Sequence, residues 1–252
     1  MTDCATPPPS FLDLADGRRL AYRLRPGSGP TLVFLPGYMT DMAGSKVLAL
    51  DGWAARAGRA MLRFDYSGCG ESPGEFADGT PARWAGEVVA LVEALDLPRV
   101  VLVGSSMGGW LMLLATRALG ARVAALVGIA AAPDFTDWGF TAEQKAELID
   151  GRTVFEDNPC GPEPSPMHPG FWADGEANRV LDGAIDFAGP VRLLHGQADA
   201  DVPWDISLRL ARALCSADVQ VVLIKDGDHR LSRDADLELL LRTVAALPAG
   251  PA

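Results

Sequence analysis

An α/β fold, with a mostly parallel eight-stranded sheet and helices on both of its faces, is what this 252-residue sequence predicts. Short apolar runs of strand length alternate with segments of helical period along most of the chain. That order closes parallel strands through crossover helices. Two further runs at the start flank Ala15-Asp16-Gly17-Arg18, and Asp-Gly between such runs marks a hairpin. A single domain is expected over residues 1–252, with one insertion where the alternation breaks.

Residues 1–9 carry three prolines and read as a loose arm. The hairpin pairs Phe11–Leu14 with Arg19–Leu24. Pro26–Pro30 reads as a loop, and Thr31–Leu35 as a buried strand ending in Pro36-Gly37. Residues 45–57 have helical period, with Val47, Leu48, Leu50, Trp53 and Ala54 apolar. The strand Ala60–Phe64 runs into Asp65-Tyr-Ser-Gly-Cys-Gly-Glu-Ser72. Thr80-Pro81 opens a helix, with threonine as cap and proline in the first position. Leu97-Pro98 closes it. Val100–Val103 is a fully buried strand. It breaks into Gly104-Ser105-Ser106-Met107-Gly108, and Trp110–Leu119 continues as an apolar helix. Val123–Ile129 is the next strand.

The break comes at residues 134–187. Thr141 and Gln144 form a capping-box pattern for a short helix ending at Gly151. The proline-rich run 158–169 is expected to hold no regular structure. A second helix is expected over Ala173–Leu181. Alternation then resumes with strand Val191–His195, helix Pro203–Leu214, strand Val219–Ile224 and helix Ala235–Ala246.

A net charge of −11, with only three lysines, opposes binding to nucleic acid or to anionic membranes. Cys4, Cys69, Cys160 and Cys215 are scattered with no C-x-x-C pair, which argues for thiols over a disulfide frame or a zinc site. Residues 1–10 have no secretory pattern and no apolar run reaches membrane-spanning length, so a cytoplasmic location is expected. Gly44-Ser45-Lys46 lacks the spacing of a phosphate loop, and neither H-E-x-x-H nor a dinucleotide fingerprint occurs. No metal and no cofactor are expected. The sequence sets no oligomeric state.

Strand, glycine-flanked turn and buried helix place Ser106 at an apex. A Cβ at position 104 or 108 would collide with a neighbouring strand or helix, and glycine tolerates the sharp turn. The serine then sits above a helix N-terminus that favours negative charge. This Gly-x-Ser-x-Gly turn resembles the nucleophile elbow of the α/β-hydrolase family. With the hairpin and the later motifs, the resemblance covers nearly the whole chain outside the insertion. It implies a serine nucleophile, Ser106, with an acid and then a histidine further along. The histidine belongs after the last strand, where Lys225-Asp-Gly-Asp-His229 lies. His195, at a strand end, reads as a hydrogen-bonding cap, and His168 as a residue of the insertion that could touch substrate. His195-Gly-Gln-Ala-Asp199-Ala-Asp201-Val-Pro203 is similar to the family's acid loop and puts the acid at Asp199. Asp201 reads as a loop carboxylate. Asp134 occupies an alternative acid position that some relatives use. Asp226 and Asp228 are too near His229 in sequence to orient it.

The resemblance also implies an oxyanion hole made by the backbone N–H groups of Met107 and Tyr38. Many relatives begin the second loop His-Gly, where this chain has Pro36-Gly37. The Asp65–Ser72 turn reads as structural, with local hydrogen bonds from Asp65 and Ser72. Leu35–Met42, Gly44–Lys46 and Ala130–Phe135 resemble the branch containing palmitoyl-protein thioesterases that also cleave acyl glucuronides. The implied substrate is a small acyl ester or thioester. Hydrolysis of a C–C bond, with Arg152 or Arg179 as a carboxylate clamp, and a non-enzymatic ligand receptor are the alternatives. The insertion carries Phe135, Trp138, Phe140, Phe155, Met167, Phe171 and Trp172. These side chains either anchor it to the body or line an apolar acyl pocket, with Phe135, Trp138, Phe140, Met167, Phe171 and Trp172 the expected substrate-binding set.

Overall fold

Consecutive apolar residues along each central strand face opposite ways, and the sheet buries both faces. In the computed structural model, which describes residues 8–157 and 164–247, the strands are β1 (Ser10–Asp13), β2 (Arg19–Arg25), β3 (Ser28–Leu35), β4 (Arg59–Phe64), β5 (Val100–Ser105) and β6 (Val123–Ile129). A separate ribbon pairs β7 (Val154–Glu156) with β8 (Ser165–Met167), and β9 (Val191–Gly196) and β10 (Val219–Ile224) complete the main sheet. The order is β1-β2-β4-β3-β5-β6-β9-β10. The hairpin strands are antiparallel, β2 also to β4, and every later pairing is parallel.

The helices are α1 (Ser45–Ala57), α2 (Pro81–Ala94), α3 (Met107–Leu119), α4 (Phe135–Trp138), α5 (Ala142–Ile149), α6 (Pro169–Ala177), α7 (Asp205–Ala213) and α8 (Asp234–Ala245). Val33, Leu35, Leu102 and Leu126 pack with α2 and α3 on one face. Leu32, Phe34, Val101, Val103 and Val127 pack with Val47 and Leu50 of α1 and Leu240 and Val244 of α8 on the other. Thr80 caps α2, accepting from the Arg83 N–H at 3.2 Å, with Pro81 in the first turn. Thr141 and Gln144 close the expected capping box on α5.

The differences from expectation concentrate in the insertion between β6 and β9. Its proline-rich run is partly regular: Ser165–Met167 is β8, and Pro169 starts α6. Proline at the first helical position gives up an N–H that had no partner anyway, so Pro169 begins the helix that was expected at Ala173. The helix ends at Ala177, not Leu181. β3 starts at Ser28, inside the expected loop, because Ser28 N–H donates to Gly58 O at 2.9 Å beside β4. The expected arm falls outside the described residues up to position 7, as do Cys4, Cys160 and the 158–163 part of the proline-rich run.

Glycine is sterically required at the turn after β5. A Cβ on Gly104 would lie 2.3 Å from Gly108 O, and one on Gly108 would lie 2.1 Å from Leu35 O. Gly108→Ala should therefore destabilise by about 1–3 kcal/mol through overpacking. That lowers the melting temperature by roughly 5 °C. Gly86→Ala is the control: it lies in α2 with open space around its Cβ, so it should gain about 1 kcal/mol from helix propensity. Thermal melts of the two variants check the pair.

Candidate active site

The end of β5 delivers Ser106 at φ +53°, ψ −120°, a conformation that L-residues rarely adopt. Such strain costs on the order of 1–3 kcal/mol and persists only where surroundings enforce it. Three backbone bonds do so here: Ser106 N–H donates to Ile129 O at 2.9 Å, and Gly109 and Ala132 N–H donate to Ser106 O at 2.8 and 3.0 Å. Met107 is the first residue of α3, so its N–H has no partner within the helix. The loop after β3 lies flush against the elbow, since a Cβ on Gly37 would be 3.4 Å from Ser106 Cβ. Tyr38, next in that loop, hydrogen-bonds through its side chain to Pro166 O of β8 at 2.6 Å.

Ser106 Oγ lies 3.0 Å from His229 Nε2, and His229 Nδ1 lies 2.9 Å from Asp199 Oδ2. A carboxylate only accepts, so His229 donates from Nδ1 and Nε2 is left to accept the serine proton. Burial works to raise the Asp199 carboxyl. Hydrogen bonds from His195 and His229 and the Val202 N–H outweigh it and hold the group well below the usual carboxylate range. The site therefore has a permanent anion behind an imidazole behind a hydroxyl, an arrangement suited to proton abstraction by a neutral base.

Asp199 and His229 sit on loops after β9 and β10 that are joined through their backbones. Gln197 N–H donates to Ile224 O at 2.8 Å and Ala198 N–H to Gly227 O at 2.9 Å. A Cβ on Gly196 would lie 2.1 Å from Gly227 O, so glycine permits the approach. Asp228 accepts from Leu231 N–H at 2.9 Å and shapes the turn after His229. Asp226 offers its backbone carbonyl to Arg233. Asp134 is engaged elsewhere: its carboxylate takes Val180 and Leu181 N–H at 2.8 and 2.7 Å. His168 Nδ1 meets Thr153 Oγ1 at 3.3 Å within the insertion.

His195 is more than a strand cap. Its side chain is fully buried, and Nε2 reaches both Val202 O at 3.0 Å and Asp199 Oδ2 at 3.2 Å. The only sequence signal for the second contact is its place four residues before Asp199, across the turn. Among the described residues, Asp199, Asp201 and His229 bring ligand-type atoms together. His229 Nδ1 and Asp199 Oδ2 face each other, however, which gives a hydrogen-bonded pair and not a ligand set. The Asp65 turn has the expected local bonds. Met42 and Glu71 N–H donate to its carboxylate at 2.7 and 2.8 Å, and Ser72 Oγ donates to Asp65 O at 2.7 Å. Burial pushes the neighbouring Cys69 thiol up to about 12, which leaves it unreactive at neutral pH.

Residues 30–171 match the α/β hydrolase fold family. The chain belongs to that family. As a hydrolase it is 37% identical, over 93% of its length, to a mitochondrial palmitoyl-protein thioesterase, ABHD10, of Mus musculus, and covers 80% of that relative. A crystal structure of a putative hydrolase from Agrobacterium vitis S4 superposes with a TM-score of 0.88 at 39% identity, covering 95% of this chain and 99% of the other. The structure of mouse α/β hydrolase domain-containing protein 10 gives 0.88 at 37% identity, covering 94% and 96%. The expected cytoplasmic location is overturned here, because the palmitoyl-protein thioesterase relatives of mouse, cattle and human are mitochondrial proteins. Among the described residues no helix is long and apolar enough to cross a membrane.

The insertion of this hydrolase packs against the elbow side of the sheet. Phe171 is buried against Tyr38, Trp84 and Phe135, at centroid distances of 5.2, 5.7 and 5.7 Å. Phe140 and Met167 are buried in the same core. Trp138 packs near Ala132, Val202 and Ile206 and donates its indole N–H to Pro133 O, while Trp172 donates to Thr136 O. Phe135 is half-buried and touches Trp110 on α3 and Tyr38, at 5.7 and 6.2 Å. Phe155 is exposed. Arg152 pairs with Glu147 and Asp150, and Arg179 with Asp137, Glu176 and Asp182. Both guanidinium groups are thus paired with carboxylates of the insertion.

The two candidate acids can be separated by experiment. Asp134→Asn should cost about 2 kcal/mol of stability by setting an amide against backbone donors. It should leave kcat within twofold. Asp199→Asn should lower kcat by roughly 10⁴-fold through the wrong imidazole tautomer. Steady-state kinetics with thermal melts report both, and the opposite ranking would move the acid to Asp134.

Proposed function

We propose that this chain is a serine hydrolase that cleaves carboxylic esters or thioesters through an acyl-enzyme on Ser106. The observation that carries the reading is the unbroken hydrogen-bond chain from Ser106 through His229 to Asp199, on an elbow whose strain the sheet enforces. Its thioesterase relatives support the substrate class. Ser106 Oγ attacks the acyl carbonyl as its proton passes to His229 Nε2. The oxyanion takes the N–H groups of Met107 and Tyr38. Collapse expels the alcohol or thiol, which leaves with the proton from His229. Water then attacks the acyl-enzyme, losing its proton to the same nitrogen, and the acid is released with Ser106 restored.

Ser106→Ala should abolish turnover and labelling by a fluorophosphonate with the fold retained, and mass mapping should place the label on Ser106. The neighbouring Ser105 lies in β5, and Ser105→Ala should keep substantial activity. A label on any other residue would defeat the assignment. Asp199 stays ionised far below neutrality. Asp199 should therefore add no limb to the pH profile of kcat/KM above about pH 4, and acidification should reduce kcat/KM with a slope no steeper than one there. A slope of two above pH 4 would show a second essential group.

The insertion acts in this reading as a lid over the acyl group. Phe135 is the best-placed side chain of the set, since it bridges the elbow helix and the oxyanion loop. Half-buried Trp138 and Trp172 extend the apolar wall, while Phe140, Met167 and Phe171 support it from the core. Each buried CH₂ adds about 0.8 kcal/mol. For p-nitrophenyl esters, kcat/KM should rise by up to about fourfold per methylene beyond acetyl until the pocket fills. A preference for acetyl, or indifference to length, would reduce these rings to anchors.

A further inference from the structure

His195 is the penultimate residue of β9 and has no exposed surface on its side chain. Both of its ring nitrogens are engaged. Nε2 lies 3.0 Å from Val202 O and 3.2 Å from Asp199 Oδ2, and Nδ1 lies 2.7 Å from Ser207 Oγ, itself buried on α7. A carbonyl and a carboxylate only accept, so the ring hydrogen must be on Nε2. In the neutral ring the Ser207 hydroxyl then donates into Nδ1 and holds the ring's orientation. The opposite tautomer would aim a lone pair at two acceptors.

We propose that His195, held in orientation by Ser207, is a positioning residue that grips Asp199 Oδ2 and so keeps His229 in line with Ser106. The proposal rests on Ser106 being the nucleophile. Asp199 Oδ1 already takes the Asp201 and Val202 N–H groups at 2.9 and 2.8 Å. Among the described residues, Oδ2 takes only the two imidazoles. His229 is partly exposed on its loop, whereas His195 is fully buried between β9 and α7. Both carboxylate oxygens turn together about the Cβ–Cγ bond, so without His195 only the two bonds to Oδ1 resist that rotation, and any turn they allow carries the His229 ring with it. A strand cap would need the Val202 contact alone. The Ser207 bond serves to aim the N–H, and a misplacement of about 1 Å at the reacting atoms can cost 10²-fold in rate.

Four proteins test this: wild type, His195→Phe, His195→Gln and Ser207→Ala. Each is titrated to end point with a fluorophosphonate, so that kcat is expressed per competent Ser106. His195→Phe should lose roughly 10- to 100-fold in kcat per site, with KM within twofold. His195→Gln carries an amide N–H to the place of Nε2 and should recover most of the loss. Ser207→Ala removes the bond that holds the ring at Nδ1, lets the N–H drift from Asp199 Oδ2, and should fall between them. If His195→Phe does not fold, the Ser207→Ala and His195→Gln results decide. A kcat per site within twofold of wild type in Ser207→Ala, or a glutamine variant no better than phenylalanine, would overturn the proposal. A wild-type protein that takes no label would instead defeat the assignment of Ser106, a result distinct from either.

Discussion

At Gly104 and Gly108 the backbones of β3, β5 and α3 approach so closely that a side chain at either position would lie 2.3 or 2.1 Å from a carbonyl oxygen. That contact turns the chain from strand to helix with a single residue between them. The residue at the turn has to take a left-handed φ, and here it is a serine, not a glycine. The cost is met by three backbone hydrogen bonds, two of them to β6 and the segment after it. Strand order matters for this reason. β5 lies between β3 and β6, so one neighbour provides the steric wall and the other the hydrogen bonds.

The second constraint lies two strands away. The loops after β9 and β10 are joined backbone to backbone across Gly196 and Gly227, so the Asp199–His229 spacing follows from main-chain geometry. The sheet then sets the remaining distance, that from the imidazole to the elbow, because β5, β6, β9 and β10 are parallel and present their C-terminal ends on one side. Three residues 123 positions apart at the extreme thus meet within hydrogen-bond range.

The parts of this arrangement that were legible in the sequence have local causes. Val100–Val103 is a run of residues that only a buried strand accommodates, and Thr80-Pro81 is a cap and a first turn in one dipeptide. Ser106, Asp199 and His229 stood out because the resemblance supplied an order to search in. The insertion was harder. Its strands have three residues each and α4 has four, too few for any period to show, and they are held by contacts with Tyr38, Trp84 and Trp110. Pro169 looked like a break and is a helix start. Asp134 looked like a possible acid because of its place after β6. Only the fold reveals that Val180 and Leu181, more than forty residues on, claim its oxygens. His195 carried no periodic or capping signal that distinguishes an aimed N–H from an ordinary buried one.

Tyr38 belongs to two parts of the molecule at once. Its ring is packed among Phe76, Phe135 and Phe171, its hydroxyl is tied to β8, and its backbone follows Gly37 against the elbow. The insertion is therefore not an interchangeable module. Grafting the corresponding segment of another hydrolase onto this body would remove the floor under Tyr38, and the loop beside Ser106 would have to find a new course. Exchange of such segments between family members, by recombination or by design, has to carry the residue after Pro36-Gly37 along with it as part of the transplanted piece.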